Sequence, residues 1–251
     1  MARRALPKID PRIDLSRHLS ELSALGERFD PAAWFGRSAP LEVEVGSGKG
    51  LFLVRAASER PDHDFVGVEL AKQYARTCGA KLAKAGLTNA LMISGDGVRF
   101  SDEFLADDSV AAFHVYFPDP WWKARHRKRR VLNRRLLQAI ESKLVVGGRL
   151  HFWTDVQEYF ESTLELIPRV TTLLDGPHPV AEPQSTHDLD YRTHFERRTR
   201  LAELPVYRAE FVRLPGQVVR PLPADGHDDE ADDSDARDSG DEPTGVDASE
   251  A

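Results

Sequence analysis

Hydrophobic residues along the chain occur in short blocks that alternate between the periodicity of a strand and that of a helix. Short apolar or alternating blocks predict strands over residues 41–45, 64–70, 91–93, 110–117, 149–154 and 207–214. Stretches with apolar residues three and four apart predict helices over residues 49–60, 72–85, 132–144 and 156–168. This alternation predicts an α/β fold, with a mostly parallel sheet covered by helices on both faces.

The two ends of the chain differ from this alternating middle. Residues 1–38 are interpreted as an N-terminal extension, in which apolar residues at helical spacing predict a helix over residues 14–29. Residues 39–223 form the predicted α/β domain. Residues 224–251 carry twelve acidic residues and one Arg with almost no apolar content, which predicts a disordered tail. Such a tail either keeps the protein in solution or mimics phosphate and screens a basic site.

Composition limits the class of protein. With 251 residues, 41% of them hydrophobic, the chain can bury one core of ordinary domain size. No apolar run approaches the roughly 20 residues that span a bilayer, and none follows the basic start, so we expect neither a membrane span nor a secretory signal. A single cysteine excludes an intramolecular disulfide and a cysteine-rich zinc site. We expect a cytoplasmic protein without a metal; the oligomeric state stays open, a monomer included.

The net charge of -7 hides a basic region. Residues 1–223 alone carry about +4, and eight Lys or Arg lie within residues 123–135 without any acid. A cluster this dense is typical of a nucleic-acid interface, since each charge that meets a phosphate releases a counterion. A solvated basic face and a nuclear localisation signal are the alternatives. Because the cluster follows a predicted central strand, we favour contact with RNA through Lys123, Arg127, Lys128, Arg129 and Arg130.

A glycine-rich turn follows the strand at 41–45, and Gly46, Gly48 and Gly50 let the backbone approach a ligand closely. Their spacing matches neither the P-loop nor the dinucleotide-binding pattern. Glu69 ends the next strand and is placed to accept both ribose hydroxyls of a nucleoside. Asp96 follows the third strand, where a carboxylate can accept an adenine amino group. Since open α/β sheets bind ligands at the carboxyl ends of their strands, these residues predict a nucleoside site.

Another acid, Asp119, lies between two prolines directly after the strand at 110–117. Pro118 and Pro120 restrict the backbone around it, so we expect its side chain to be aimed into the cleft. Trp121 and Trp122 come next, and each either stacks on a base or anchors the loop in the core.

Residues 40–155 resemble the class I methyltransferases. The resemblance implies a Rossmann-like fold with a mostly parallel seven-stranded sheet, S-adenosylmethionine as cofactor, and Glu44 as a residue that holds its methionine end. A more specific motif, Pro118-Asp119-Pro120-Trp121 followed by Lys123-Ala-Arg-His-x-Lys-Arg-Arg130, is similar to the signature of bacterial tRNA (guanine-N7)-methyltransferases. Thr154-Asp155 and Thr193-His-Phe195-Glu196-Arg-Arg198 are similar to two further motifs of that family.

This second resemblance implies methylation of N7 of the guanine at position 46, in the variable loop of tRNA. The cofactor contacts that it implies are Glu44, Glu69, Asp96 and Asp119. The substrate contacts that it implies are Lys123, Asp155, Thr193 and Glu196, and Phe195 and Arg198 belong to the same motif as the last two. The chain departs from the expected pattern at Gly97, where Ala is expected, and at Trp122, which is bulkier or less polar than the usual residue.

Methylation of guanine N7 needs no general base, because N7 has an in-plane lone pair and no proton. The product is cationic, and a nearby carboxylate can stabilise the developing charge. Asp119 is the first candidate for this catalytic role, while Glu196 or Asp155 would orient the guanine edge. The alternatives are a class I methyltransferase that acts on another RNA, on a protein or on a small molecule, and a non-catalytic RNA-binding protein with this fold. A protein or small-molecule methyltransferase would not need the basic cluster, and a non-catalytic protein would not need the three acids after the first strands.

Overall fold

The computed structural model describes residues 8–181 and 193–218, and an eight-stranded sheet forms their centre. The strand order is β1-β4-β3-β2-β5-β6-β8-β7. Neighbours from β1 to β6 pair in parallel, whereas β8 is antiparallel to both β6 and β7. The strands are β1 (Leu19–Glu21), β2 (Leu41–Val45), β3 (Asp64–Glu69), β4 (Ala90–Ser94), β5 (Val110–Tyr116), β6 (Leu144–Thr154), β7 (Leu174–Pro179) and β8 (Tyr207–Arg213).

Helices follow most of the parallel strands. They are α1 (Pro31–Phe35), α2 (Leu51–Glu59), α3 (Lys72–Lys84), α4 (Gly97–Arg99), α5 (Arg134–Lys143), α6 (Gln157–Val170) and α7 (His194–Leu201). A π-helical turn, Phe100–Phe104, extends α4, and 3-10 helices occupy Leu22–Ala24 and Ala124–Arg129. Within the described residues, no helix is both long and apolar enough to cross a membrane.

The sheet is buried on both faces because its strand residues alternate between two hydrophobic clusters. On one face, Leu53 of α2 and Leu82 of α3 pack with strand residues such as Phe65 and Met92. On the other face, Val66 and its neighbours pack against apolar residues of α5 and α6, among them Leu136, Leu137, Ile140, Tyr159 and Ile167. The α/β fold with helices on both faces is therefore confirmed.

The N-terminal segment differs from the prediction, and the helix expected over residues 14–29 is wrong. Leu19–Glu21 instead adds an edge strand that pairs in parallel with β4. The apolar residues after it are buried as expected, with Leu22 packed so closely on Gly95 that a Cβ there would lie 2.5 Å from that of Leu22. Hydrogen bonding to the backbone at the edge of β4 therefore determines the conformation of residues 19–21, although their apolar spacing favours a helix. Tertiary contacts here override the local preference.

At its other edge the sheet gains β7, which the sequence analysis did not predict. Its sequence, Leu-Asp-Gly-Pro-His-Pro, lacks the β-branched and aromatic residues that mark a strand. Together, β1 and β7 give eight strands rather than the seven expected. The acidic tail and the N-terminal seven residues lie outside the described residues.

Candidate active site

The glycine turn lies between β2 and α2 and is fastened to the neighbouring strand. Gly46, Gly48 and Gly50 all have positive φ angles, of 82°, 53° and 69°. The backbone N–H groups of Gly46 and Ser47 both donate to the carbonyl of Val68 in β3, at 2.8 and 3.1 Å. We call residues 46–50 the glycine loop. Its position at the carboxyl edge of the sheet is where the sequence predicts a nucleoside.

Glu69, at the end of β3, joins this loop to the next one. One carboxylate oxygen accepts a hydrogen bond from the Gly48 N–H, and the other accepts one from the Ala71 N–H, both at 2.8 Å. The carboxylate is thus held at the carboxyl edge by two backbone donors. Each oxygen keeps a second lone pair, which can accept a hydrogen bond from a hydroxyl group.

Glu44, in β2, is the buried acid of the site. Its side chain is 4% exposed, and Oε2 has no hydrogen-bond partner within the described residues. Burial raises the pKa of Glu44 to about 8; a hydrogen bond with Ser47 opposes the rise, and the nearby Glu69 carboxylate adds to it. A cation that arrives beside Glu44 would find an unsatisfied acceptor.

A comparison with Glu42 shows that a raised pKa and an unpartnered oxygen are not general properties of acids in β2. Glu42 is equally buried, but it accepts hydrogen bonds from Arg60 and His114 and bonds to His63. Although burial acts to raise its pKa, His114 and Arg60 lower the pKa of Glu42 to about 2. Side chains of the protein therefore hydrogen-bond the buried carboxylate of Glu42. One oxygen of the buried Glu44, beside the glycine loop, has no such partner within the described residues.

Asp96 follows β4 and caps α4. Its Oδ1 accepts hydrogen bonds from the N–H groups of Val98 at 2.7 Å and Arg99 at 3.1 Å. The next residue, Gly97, packs against β2, since a Cβ there would lie 2.7 Å from Cγ1 of Val45. The close packing of Val45 therefore explains why this chain has Gly97 where Ala is expected, since a methyl group would clash there. The structure places Glu44, Glu69 and Asp96 at the carboxyl ends of the adjacent strands β2, β3 and β4.

Asp119 lies after β5, on the other side of β2. It is exposed, and it follows Phe117, whose N–H donates to the Trp153 carbonyl at 2.7 Å. Phe117 and Trp121 have φ angles of 49° and 45°, a conformation uncommon for residues with a side chain. The backbone on both sides of Asp119 is thus fixed in a special geometry, which the prolines alone did not reveal.

The basic segment that follows is largely exposed, with one exception. Lys123, Arg127, Lys128 and Arg129 are exposed, and the guanidinium of Arg129 lies 5.2 Å from the Trp121 ring centre. Trp122 is 68% exposed, so it is the tryptophan that faces solvent. We call the exposed side chains of Lys123, Arg127, Lys128 and Arg129 the basic row. It lies beside the carboxyl ends of β5 and β6.

Arg130, the exception, is 8% exposed and directed into the protein. Its guanidinium binds the Pro120 carbonyl at 2.9 Å, Ser162 at 3.1 Å and the carboxylate of Glu158, and it lies 4.5 Å from the Tyr159 ring centre. These contacts anchor the loop to α6. The contact between Arg130 and RNA stays a prediction. In the structure, the guanidinium of Arg130 instead connects the loop to α6.

The last predicted residues lie on α7 and at the end of β6. Thr193 accepts a hydrogen bond from the Glu196 N–H at 3.0 Å, and Thr199 of α7 donates to Asp155 at 3.5 Å. Glu196 is 0% exposed and lies 3.6 Å from Arg200 and from Arg208 of β8. The side chains of Phe195 and Arg198 lie outside the described residues.

Sequence reasoning did not single out the residues that hold these groups in place. Arg208 lies 4.9 Å from the Trp153 ring centre and beside Glu196, while Lys81 contacts the glycine loop. Neither residue belongs to a motif, and no spacing pattern marks it. In the described part of the chain, no group of three or more His, Cys, Asp or Glu is arranged to hold a metal ion.

Comparisons with known proteins point to one family. A family model described as a putative methyltransferase matches residues 38–209. A tRNA (guanine-N(7)-)-methyltransferase of Rhodopirellula baltica is 47% identical over 213 residues, covering 83% of this chain and 79% of the relative. One of Psychromonas ingrahamii is 37% identical over 62% of this chain and 60% of the relative.

Among solved structures, the 16S rRNA methyltransferase KamB has a TM-score of 0.52 and 19% identity, covering 72% of this chain and 90% of that one. At this identity the likeness concerns the fold alone, which is the Rossmann-like methyltransferase fold. The sequence matches are closer and cover most of the α/β domain. This chain therefore belongs to the tRNA (guanine-N7)-methyltransferase family of class I S-adenosylmethionine-dependent methyltransferases.

Proposed function

We propose that this chain transfers a methyl group from S-adenosylmethionine to N7 of the guanine at position 46 in the variable loop of tRNA. The observation that carries the proposal is the arrangement at the carboxyl edge of the sheet. Three acids and the glycine loop lie at the ends of β2, β3 and β4, and the basic row follows β5 on the same edge. Residues 39–223 would form the methyltransferase domain.

The residues of the glycine loop and its neighbours fit this cofactor. Glu69, held by two backbone donors, would accept hydrogen bonds from the ribose hydroxyls, and Asp96 would offer a carboxylate at the next strand end. The unpartnered oxygen of Glu44 suits the ammonium group of the methionine moiety, because a buried carboxylate is stable only beside a positive charge. When bound, the cofactor supplies an electrophilic methyl group on a sulfonium sulfur.

The basic row suits the phosphates of an RNA. Lys123, Arg127, Lys128 and Arg129 point to solvent on one short segment, which allows several phosphate contacts at once. The exposed ring of Trp122 offers a stacking surface for an unpaired base. A nucleotide in a tRNA loop is unstacked at low cost, so the guanine can leave its neighbours and enter the cleft.

The acids between these two regions would act on the guanine itself. Asp119 is an exposed carboxylate between the end of β5 and the basic row, and it would face the positive charge that develops on the base. Asp155 directly follows β6 and would accept hydrogen bonds from the amino and ring N–H groups of the guanine edge. Glu196 is buried between two arginines, so any contact with guanine would require α7 to rearrange.

The proposal is tested with two tRNA transcripts that differ only at position 46, one with guanine and one with adenine. With S-adenosylmethionine, the guanine transcript should gain one 7-methylguanosine that maps to this position, and the adenine transcript should gain none. Methylation of both transcripts at another guanine would retain the enzyme class and overturn the site. Binding of tRNA without methyl transfer would favour the non-catalytic alternative.

A further inference from the structure

One stripe of α3 faces the glycine loop. Tyr74, Cys78 and Lys81 are spaced by four and three residues, so they lie on the same side of the helix. Each of them contacts the end of the loop. The Lys49 ammonium lies 5.6 Å from the Tyr74 ring centre, and Lys81 Nζ donates a hydrogen bond of 2.6 Å to the Lys49 carbonyl.

The contact at Cys78 explains how closely the helix approaches. A Cβ on Gly50 would lie 2.0 Å from the sulfur of Cys78, so only glycine fits there. Glycine also removes the restriction on its own φ angle, which is 69° at Gly50. The peptide between Lys49 and Gly50 can therefore rotate easily unless another group holds it.

Four N–H groups of the loop are held by β3 and by the loop itself. Gly46 and Ser47 donate to Val68, Gly48 donates to Glu69, and Gly50 donates to the Ser47 carbonyl. The Lys49 carbonyl belongs to the same peptide plane as the Gly50 N–H. The Lys81 ammonium is the contact from α3 that fixes this plane on its carbonyl side.

Lys81 is not an ordinary surface lysine. Its side chain is partly buried between α3 and the loop, and burial is the main cause that lowers the pKa of Lys81, with the Lys49 charge adding to the effect. A charged ammonium donates a stronger hydrogen bond to a carbonyl than a neutral donor does, so Lys81 holds the Lys49 carbonyl firmly. Lys84, one turn further on, is exposed and makes no hydrogen bond to the loop.

We infer that Lys81 is a positioning residue of the cofactor site: through the Lys49 carbonyl it holds the end of the glycine loop in its binding conformation. The inference rests on the proposed role of the loop in binding the cofactor. In this inference Lys81 acts through the loop backbone and not by direct contact with a reactant. Its loss should weaken cofactor binding, because the loop must then be ordered at the expense of binding free energy.

The experiment measures binding of S-adenosylhomocysteine by calorimetry, without tRNA, in the wild type and in Lys81→Met, Lys81→Arg and Lys84→Met. We expect Kd to rise roughly tenfold in Lys81→Met, the size of effect set by loss of one charged hydrogen bond. Arg keeps a charged donor and should restore most of the affinity. Lys84→Met should bind like the wild type.

Steady-state kinetics separate positioning from a general loss of structure. In Lys81→Met the KM for S-adenosylmethionine should rise about as much as Kd, with kcat and the KM for tRNA within about twofold of the wild type. Amide hydrogen exchange should be faster at residues 48–51 in this variant than in Lys84→Met. If Lys81→Met does not fold, Lys81→Gln is measured in its place with the same expectations.

Equal affinity and equal exchange in the wild type and the folded Lys81 variant would overturn the inference. A uniform loss of kcat and of both KM terms, with no rescue by Arg, would also overturn it and leave a structural role. Failure of the wild type to bind S-adenosylhomocysteine would instead count against the proposed cofactor site.

Discussion

The carboxylate of Glu69 accepts a hydrogen bond from the backbone N–H of Gly48 across 21 residues of sequence, at 2.8 Å. The acid at the end of β3 and the glycine loop after β2 therefore form one unit. Because the same carboxylate also accepts from Ala71, it connects two loops that would otherwise be independent. A residue predicted to bind a ribose thus also holds the backbone around it.

This double role predicts the effect of two substitutions at Glu69. Glu69→Ala should weaken binding of S-adenosylhomocysteine by more than tenfold, since it removes the ribose acceptor and two charged hydrogen bonds to backbone donors. Glu69→Gln keeps one acceptor oxygen, so its affinity for S-adenosylhomocysteine should lie between those of the wild type and of Glu69→Ala. Calorimetry measures both, with Glu59→Ala as a control because Glu59 is exposed on α2 and pairs with Arg55. Equal losses in the Gln and Ala variants would argue against the role in holding the loops.

The state of Glu44 predicts how the stability of the cofactor-free protein depends on pH. Its pKa is raised from an ordinary value of 4.5 to about 8, mainly by burial. Between these values the unfolded chain is ionised at this position and the folded protein is not, so unfolding releases a proton. The free energy of unfolding should therefore fall as pH rises from about 5 to 8, by up to a few kcal/mol. In Glu44→Gln, denaturant titrations should show this component to be absent.

Cofactor binding should show the opposite trend at the same residue. The groups that interact with Glu44 are Ser47 of the loop, Glu69 of β3 and Cys78 of α3, and Lys81 of α3 interacts with Cys78. The cation in this group, Lys81, donates its hydrogen bond to the Lys49 carbonyl and not to the carboxyl of Glu44. An arriving ammonium would favour the ionised acid, so affinity should rise with pH between about 6 and 8, at most tenfold per pH unit. Calorimetry in buffers of different ionisation enthalpy should detect a released proton; equal apparent enthalpies would contradict the linkage.

The sequence predicted the parts of the site that are set by strand ends. Glu44, Glu69 and Asp96 follow or end strands with clear apolar patterns, so their shared edge follows from parallel pairing alone. The family resemblance singled out Glu44, but the strand pattern alone does not separate it from Glu42, which lies two residues away on the same strand face. What separates them is whether Arg60 and His114 lie nearby, and that depends on packing between elements distant in sequence.

The basic segment shows the same limit at the level of single residues. Its eight cationic side chains predicted an interface, yet charge alone gave no reason to separate Arg130 from its neighbours. Only the contacts with Pro120, Ser162 and Glu158 show that Arg130 joins the loop to α6. The helix predicted over residues 14–29 failed for a related reason, because an unpaired strand edge lay within reach.

The different environments of these arginines predict different mutant phenotypes. Arg130→Met should lower the free energy of unfolding by about 2 kcal/mol, less than the value for a fully buried pair because Glu158 is partly exposed. The triple variant Arg127→Ala, Lys128→Ala and Arg129→Ala should unfold nearly like the wild type, because the ion pair that it loses, Arg127–Glu158, is exposed. Its tRNA affinity should depend less on salt, with the slope of log K against log salt reduced by roughly 0.7 to 0.9 for each lost contact. An unchanged slope would mean that these side chains do not meet phosphate.

The final prediction concerns Asp119, which should act on the methyl-transfer step more than on binding. Its backbone is fixed by Pro118 and Pro120 and by the unusual φ angles of Phe117 and Trp121, so little entropy is lost when the side chain engages the base. The charge that it would face is complete only after transfer. An interaction that strengthens toward the transition state raises kcat and leaves ground-state affinity almost unchanged. Asp119→Asn keeps the shape and removes the charge.

We therefore expect Asp119→Asn to lower the single-turnover rate at saturating cofactor and tRNA by roughly 100-fold, the effect of losing one electrostatic contact to the reacting centre. Its Kd for tRNA should stay within about threefold of the wild type. Asp62→Asn serves as the matched control, because Asp62 is 79% exposed and lies between α2 and β3, away from the carboxyl edge. The cofactor sulfonium is itself positive, so weakened cofactor binding could imitate the effect at low concentration, and saturation removes that confusion. A near wild-type rate at saturation would reduce Asp119 to a binding residue and leave Asp155 or Glu196 as the carboxylate that faces the methylated guanine.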